Sequence, residues 1–443
     1  MNKLIMTIAM AATSVAVLNS AVALAANSSD QAQQSTPEGA NAEMQVRISA
    51  KERLSDAFRG FAEELGIEYG AFNRGKFYSK GQSPVPLSVQ SPDFVKSCSM
   101  AYERAFLLAV SQFVMDFYGQ ETAKKIYNYY NDSSSDINES PVARAKTIAE
   151  KVSLLADAKL DKALESEGVP PEKYSGESIV AKRKIFLDEI VNKSIKTAVH
   201  ASSGCIPVKT FLSIGDDGKY YVGVVVRYDS ASTELARCLK QRRRPGLKKA
   251  GGLKLKDALP PKEEMCMNFG VRLYYDDTGY PSLISFGQYG AHFAGKSELA
   301  VERAEEQALK QAQVLADSAM TMFINSFVRI GEESEMSEIS SDDIAFSEDG
   351  NPTPESVLKT IDKFSQKIEQ QGTDRLRGRS TVFSEIIKHP SGQKAAVVVR
   401  RWSFETFDAV QAIDSKREKE EVKTTDSVEP AKGGVLKGKT FDF

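Results

Sequence analysis

The sequence is poor in the residues that most often carry chemistry. Three histidines, His200, His292 and His389, are scattered through 443 residues, and none forms a metal-binding pair with another. Four cysteines occur without CxxC or HxxxH spacing, which sets aside a structural zinc site. There is no GxSxG elbow, phosphate-binding loop or dinucleotide fingerprint, so the usual signatures of acyl transfer, nucleotide hydrolysis and hydride transfer are missing. Beyond the N-terminus no uncharged apolar run reaches the roughly 20 residues of a spanning helix. Charge of either sign is not in excess: 58 basic side chains stand against 60 acidic ones, giving no global pull toward nucleic acid or lipid.

What is present describes a folded chain, 41% hydrophobic and 27% charged, with length for two or three domains. Lys3, the apolar stretch Leu4 to Leu18 and the small residues around Ala23-Leu24-Ala25 read as a signal peptide over 1–25. A polar linker over 26–45 follows, expected to be disordered. The expected location is therefore a periplasm or the outside of the cell. In such an oxidising compartment an even number of cysteines favours disulfides, and Cys98, Cys205, Cys238 and Cys266 are the candidates. Four cysteines allow three pairings; Cys238 and Cys266 flank one basic segment and are the first expected pair. His200 lies close to Cys205, but Ala201-Ser202-Ser203-Gly204 between them reads as a helix-to-strand turn, a poor frame for a thiol and its base.

The chain also resembles itself. Ala101-Tyr102-Glu103-Arg104-Ala105 matches Ala300-Val301-Glu302-Arg303-Ala304, each opening a helix that continues with Ala109 and Gln112, or Ala308 and Gln311. Upstream of each helix a strand-like segment ends in Gly81-Gln82 or Gly287-Gln288. Downstream of each, a hairpin ends in Val224-Val225-Val226-Arg227 or Val397-Val398-Val399-Arg400. Turn residues fit the hairpins: Gly215-Asp216-Asp217-Gly218, Asp276-Asp277-Thr278-Gly279 and Pro390-Ser391-Gly392.

Three landmarks in one order predict a duplicated unit. The expected fold is α+β, two tandem modules in which a long Ala-rich helix packs on an antiparallel sheet of hairpins, with helical insertions. Ala300, Ala304, Ala308, Ala312 and Ala316 keep one side of the second helix small, while Phe113 and Phe117 widen the first. A separate helix is expected at Ala50 to Leu65, where Leu54, Phe58, Phe61 and Leu65 share a face and Gly66 ends the run. The modules are expected at 46–235 and 263–413, joined by a basic loop over 236–262, with a disordered charged tail over 414–443.

Two segments are strongly charged. Lys240, Arg242, Arg243, Arg244, Lys248, Lys249, Lys254 and Lys256 fall in a stretch with no acidic residue, broken by Pro245, Gly246, Gly251 and Gly252. They are expected on a mobile inter-module loop, as anion-binding residues for an envelope polymer or lipid headgroup, or as a solvated linker. Interleaved aromatics are lacking there, which argues against nucleic acid. From Glu332 to Asp349 the chain is acidic without calcium-loop spacing, and the two segments are candidates to neutralise one another.

The Ala-rich helix joined to a hairpin ending Val-Val-Val-Arg resembles the small modules of exported bacterial envelope proteins, among them the N-terminal domain of flagellar assembly protein T and LPP-type lipoproteins. The lipoprotein cysteine is absent. The resemblance implies a structural or assembly role in the envelope and supplies no catalytic residue. The expected function is thus non-enzymatic interaction or assembly, with no cofactor or metal and with an envelope protein, an anionic polymer or a second copy as partner. A hydrolase built on two carboxylates needs no fixed spacing and stays open as the alternative, beside an anion-binding adaptor.

Overall fold

A computed structural model describes residues 47–130, 144–202, 204–229, 248–291, 297–329, 344–361, 378–410 and 412–413, together with Ser232, Leu235, Cys238, Arg244 and Gly246. The expected signal peptide, linker and C-terminal tail lie outside the described residues, as do His292 and most of the acidic stretch.

The first helix, α1 (Ala50–Leu65), opens on a capping box in which Ser49 and Glu52 satisfy each other's backbone N–H, and it ends where Gly66 turns left-handed. Then come β1 (Phe72–Asn73), β2 (Lys76–Pro84) and the long α2 (Phe94–Tyr130). The helical insertion consists of α3 (Ile148–Ser153), α4 (Asp157–Ser166) and α5 (Ile179–Ser202). Strands β3 (Ile206–Ile214) and β4 (Tyr220–Asp229) complete sheet 1, in the order β1-β2-β4-β3. A short α6 (Leu255–Ala258) and a 3-10 turn (Lys262–Met267) lead into β5 (Gly270–Tyr275) and β6 (Pro281–Gly290). The second long helix, α7 (Glu298–Arg329), precedes β7 (Ser380–Lys388) and β8 (Lys394–Trp402), and sheet 2 has the order β5-β6-β8-β7.

Both sheets are antiparallel and their connections are the same, so the α+β class and the two similar modules are present as expected. Register makes the correspondence finer than the sequence match. Gly81 stands opposite Val224 and Gly287 opposite Val398; β3 bulges between Pro207 and Lys209 and β7 between Thr381 and Phe383, where their partners are Val226 and Val225, and Arg400 and Val399. Val224 therefore corresponds to Val398, and Arg227 to Arg401. The two valine triplets are one residue out of step.

The helices are out of step by more. A Cβ built on Gly81 would lie 2.2 Å from the Ala105 carbonyl oxygen and 2.4 Å from the Ala109 nitrogen. On Gly287 it would lie 1.9 Å from the Ala312 oxygen and 2.5 Å from the Ala316 nitrogen. Each sheet is thus kissed by its own helix at a glycine, but the equivalents of Ala105 and Ala109 are Ala312 and Ala316, two turns beyond the matching pentapeptide. Accordingly Ala101 and Ala105 are buried, whereas Ala300 and Ala304 are half-buried.

Layering follows from which strand faces which helix. On sheet 1, Val225 and Tyr78 pack with Leu54 and Phe58 of α1, while Phe77, Val222, Val224 and Val226 face α2. Phe77 meets Phe113 and Phe117 edge-on or tilted, so the bulky residues of α2 fill the wider gap there. On sheet 2, Ala396 and Val398 pack with Ala308 and Ala312 of α7. Its other face, with Ile284, Phe286, Val397 and Val399, joins the core built around α2. The result is α1, sheet 1, α2 with its insertion, sheet 2 and α7, and β6 is buried almost throughout because it is covered on both sides.

Candidate anion-binding face

The cores leave one exposed feature on which the sequence-predicted residues converge, the tip of the β5–β6 hairpin. Its turn is organised by Asp276, a buried carboxylate that accepts from the backbone N–H groups of Thr278 and Tyr280, both at 3.1 Å, and from the hydroxyls of Thr278 and Ser282. Burial alone would raise its pKa, but these four donors outweigh it and hold the carboxyl below the ordinary value. Such an anchored turn gives the adjoining chain a rigid edge to lie on.

The basic segment lies along that edge. Lys249 N–H donates to the Gly279 carbonyl at 3.0 Å and Leu253 N–H to the Tyr275 carbonyl at 2.8 Å. At Gly252 any side chain would collide, because a Cβ would stand 1.7 Å from the backbone carbonyl oxygen of Asp276. From Lys248 onward the expected mobile loop is therefore pinned, since its backbone donors are spent on the hairpin and a glycine permits the close approach.

Two tyrosines organise the cations. Arg244 and Lys248 both lie over the Tyr280 ring, at 4.9 and 4.8 Å from its centroid, and Lys249 lies 4.8 Å over Tyr275. Each contact is worth about 0.5–1 kcal/mol at an exposed site. Arg244 also donates from Nε to Asp408 at 2.9 Å, and this partner raises its pKa. Lys248, Lys249, Lys254 and Lys256 remain exposed, as does Leu253; Asp257, Glu263, Glu264 and Asp277 are exposed carboxylates nearby in sequence. The aromatics missing from the basic segment are supplied by the hairpin, about thirty residues later in the chain. That signal was present as Tyr275 and Tyr280 flanking Asp276-Asp277-Thr278-Gly279.

Lys240, Arg242 and Arg243 lie outside the described residues. Of the acidic stretch, Glu348 and Asp349 are described; the Asp349 carbonyl accepts from Ala149 at the start of α3, in another part of the fold from the hairpin tip. Among the described residues the carboxylate facing Arg244 is Asp408, from the helical segment after β8.

The cysteines do not pair as expected. All four are described and buried, and no two sulfurs stand at disulfide distance. Cys238 packs with Leu235, Val271 and Met320, whereas Cys266 belongs to the α2 core with Cys98 and Cys205, so different cores separate the pair first expected. Burial pushes the thiol of Cys98 up to about 12 and that of Cys266 to about 11, and Cys205 is raised as well. A thiol with that shift is a poor nucleophile at neutral pH, which answers the reading of Cys205 as an activated thiol.

The modules meet through packing. Tyr102 of α2 stacks on Phe269 at 5.6 Å, and Arg272 bridges to sheet 1 by donating to the Thr210 hydroxyl at 2.9 Å. His389, in the β7–β8 turn, is buried against Phe94 with Nδ1 2.8 Å from the Ser391 hydroxyl; Gln393 donates to the carbonyls of Val89 and Ser91 at 2.6 and 2.7 Å. Among the described residues no group of three or more His, Cys, Asp and Glu is placed to hold a metal, and no helix is long and apolar enough to cross a membrane.

Comparison with known proteins agrees with the fold and adds no activity. Residues 145–241, which carry the helical insertion and the closing strands of sheet 1, match a domain of unknown function, DUF6844. The crystal structure of hypothetical protein FTT1539c from Francisella tularensis shares the architecture, with a TM-score of 0.50 and 20% identity over 83% of this chain and 95% of that one. No curated protein matches the chain.

Proposed function

We propose that this is a non-enzymatic interaction or assembly protein of the bacterial envelope, periplasmic or secreted, that engages an anionic partner through the hairpin face. One observation carries the reading: exposed Lys248 and Lys249 are held over tyrosine rings on a loop hydrogen-bonded to the β5–β6 tip, so the charges are prearranged. The junction between the sheets is filled by Tyr102 stacked on Phe269 and by the surrounding core, which leaves the hairpin face as the exposed feature this reading uses. The location rests on the N-terminal pattern around Lys3, Leu4 to Leu18 and Ala25.

The test is retention on isolated envelopes. The triple variant Arg244→Ser, Lys248→Ser, Lys249→Ser should elute at markedly lower salt than wild type while keeping its far-UV circular dichroism. Equal elution of the two proteins would refute the reading. Mass spectrometry of the exported chain should find Ala26 at its N-terminus, and an intact N-terminus in the cytoplasmic fraction would refute the location.

A further inference from the structure

We infer that the partner of this face is the headgroup layer of an anionic bilayer, which receives Leu253 between the lysines. The inference rests on the anion-binding reading and adds an apolar component to it.

Leu253 is 47% exposed, and it cannot retreat. Its backbone forms a bridge with Asp276 and donates to the Tyr275 carbonyl, and the preceding Gly252 is pressed against the turn. A large apolar side chain is thereby fixed at the surface with Lys249 before it and Lys254 directly after it. A soluble polyanion would satisfy the lysines and leave the leucine in water. The interfacial zone of a bilayer satisfies both, because phosphate engages the ammonium groups while the leucine enters the boundary between headgroups and acyl chains. Lysine stems are suited to this, lying along apolar surface with the charge turned to the phosphates.

The tyrosines argue against the main competing anion, a single-stranded nucleic acid. Binding there depends on aromatic faces open to stacking bases. Here Tyr280 carries both Arg244 and Lys248, and Tyr275 carries Lys249, so the rings serve to position cations.

The experiment is cosedimentation of the purified full-length protein, wild type and variants in the same processed form, with vesicles of phosphatidylcholine alone or mixed with phosphatidylglycerol. Soluble polyphosphate and a single-stranded oligonucleotide are the alternative anions. Wild type should bind the mixed vesicles and not the neutral ones. Leu253→Ser should weaken vesicle binding about five-fold, the effect of withdrawing roughly half a leucine from an apolar phase, and leave polyphosphate binding unchanged. Lys248→Ser with Lys249→Ser should weaken both by roughly thirty-fold at low salt. Vesicle binding by Leu253→Ser equal to wild type overturns the bilayer assignment and leaves the anion reading standing, as does tighter binding to the oligonucleotide. Binding to none of the anions overturns both.

Discussion

Gly287→Ala should be among the most damaging single methyl additions in the chain. The new Cβ would meet the Ala312 carbonyl oxygen at 1.9 Å, the Ala316 nitrogen at 2.5 Å and the Ala316 Cβ at 2.9 Å. Two of these are helix backbone atoms and cannot swing aside, so α7 has to lift from β6 by on the order of an ångström to restore ordinary contact. Lifting it also loosens Ala308 and Ala312 from Ala396 and Val398. Overpacking of this kind costs about 1–3 kcal/mol, and a backbone clash belongs at the upper end, about 3 kcal/mol. Guanidinium unfolding followed by circular dichroism should show a lower midpoint with an unchanged slope. Adding Ala316→Gly removes only the farthest of the three atoms and should restore less than half of the loss. A midpoint shift worth under about 0.5 kcal/mol would refute the seating of α7 on that glycine.

Other outcomes follow from single groups. His389 is buried, which holds its pKa down to about 4 against 6.5 for a free histidine. The unfolded chain therefore takes up its proton first as pH falls, and stability should be full above pH 6.5 and decline to about pH 4 by about 3 kcal/mol; His389→Gln should flatten that part of the profile, and superimposable wild-type and variant profiles would refute the assignment. All four thiols should resist a thiol-specific reagent in the native protein and react as four equivalents in denaturant without prior reduction. Asp276→Ala should cost about 3 kcal/mol by leaving the hairpin turn without its acceptor, and should weaken anion binding along with stability because the basic segment loses its seat. Gly60→Ala, in the exposed middle of α1 with nothing within 4 Å of the new methyl, should stabilise by about 0.5–1 kcal/mol, measured in the same unfolding assay.

Much of the architecture was legible, for reasons that differ between elements. α1 begins and ends where expected because the apolar face of Leu54 and Phe58 runs up to a stop signal at Gly66; the Ser49 cap that starts it shows in the structure. The hairpins were found through turn residues and the duplication through the order of landmarks. Phase was not legible. A triplet of identical valines scores equally well when slipped by one position, and only cross-strand pairing with Gly81 and Gly287 fixes the step. The alanines of α7 recur every fourth residue, so a sequence match can slide by whole turns without changing residue type, and the glycine contact shows which turn is meant.

The candidate face was half legible. Its lysines were conspicuous, but the tyrosines that fix Lys248 and Lys249 come from a later strand pair, and their proximity exists only once the hairpin folds back. The cysteines show the opposite failure. Their even number suggested partnership, yet Cys238 and Cys266 enter different cores, and nothing in a linear spacing reports which core a side chain joins.

One helix serving two sheets bears on how each half of the chain depends on the other. The long helix α7 keeps one side turned to water, at Glu302, Glu306 and Lys310. The start of α2 has no such side, because Val95, Cys98 and Tyr102 are buried there. The halves have thereby become unequal and interdependent: cut from its predecessor, the later half would present Phe286, Val397 and Val399 to solvent, and it should aggregate where the intact chain stays dispersed.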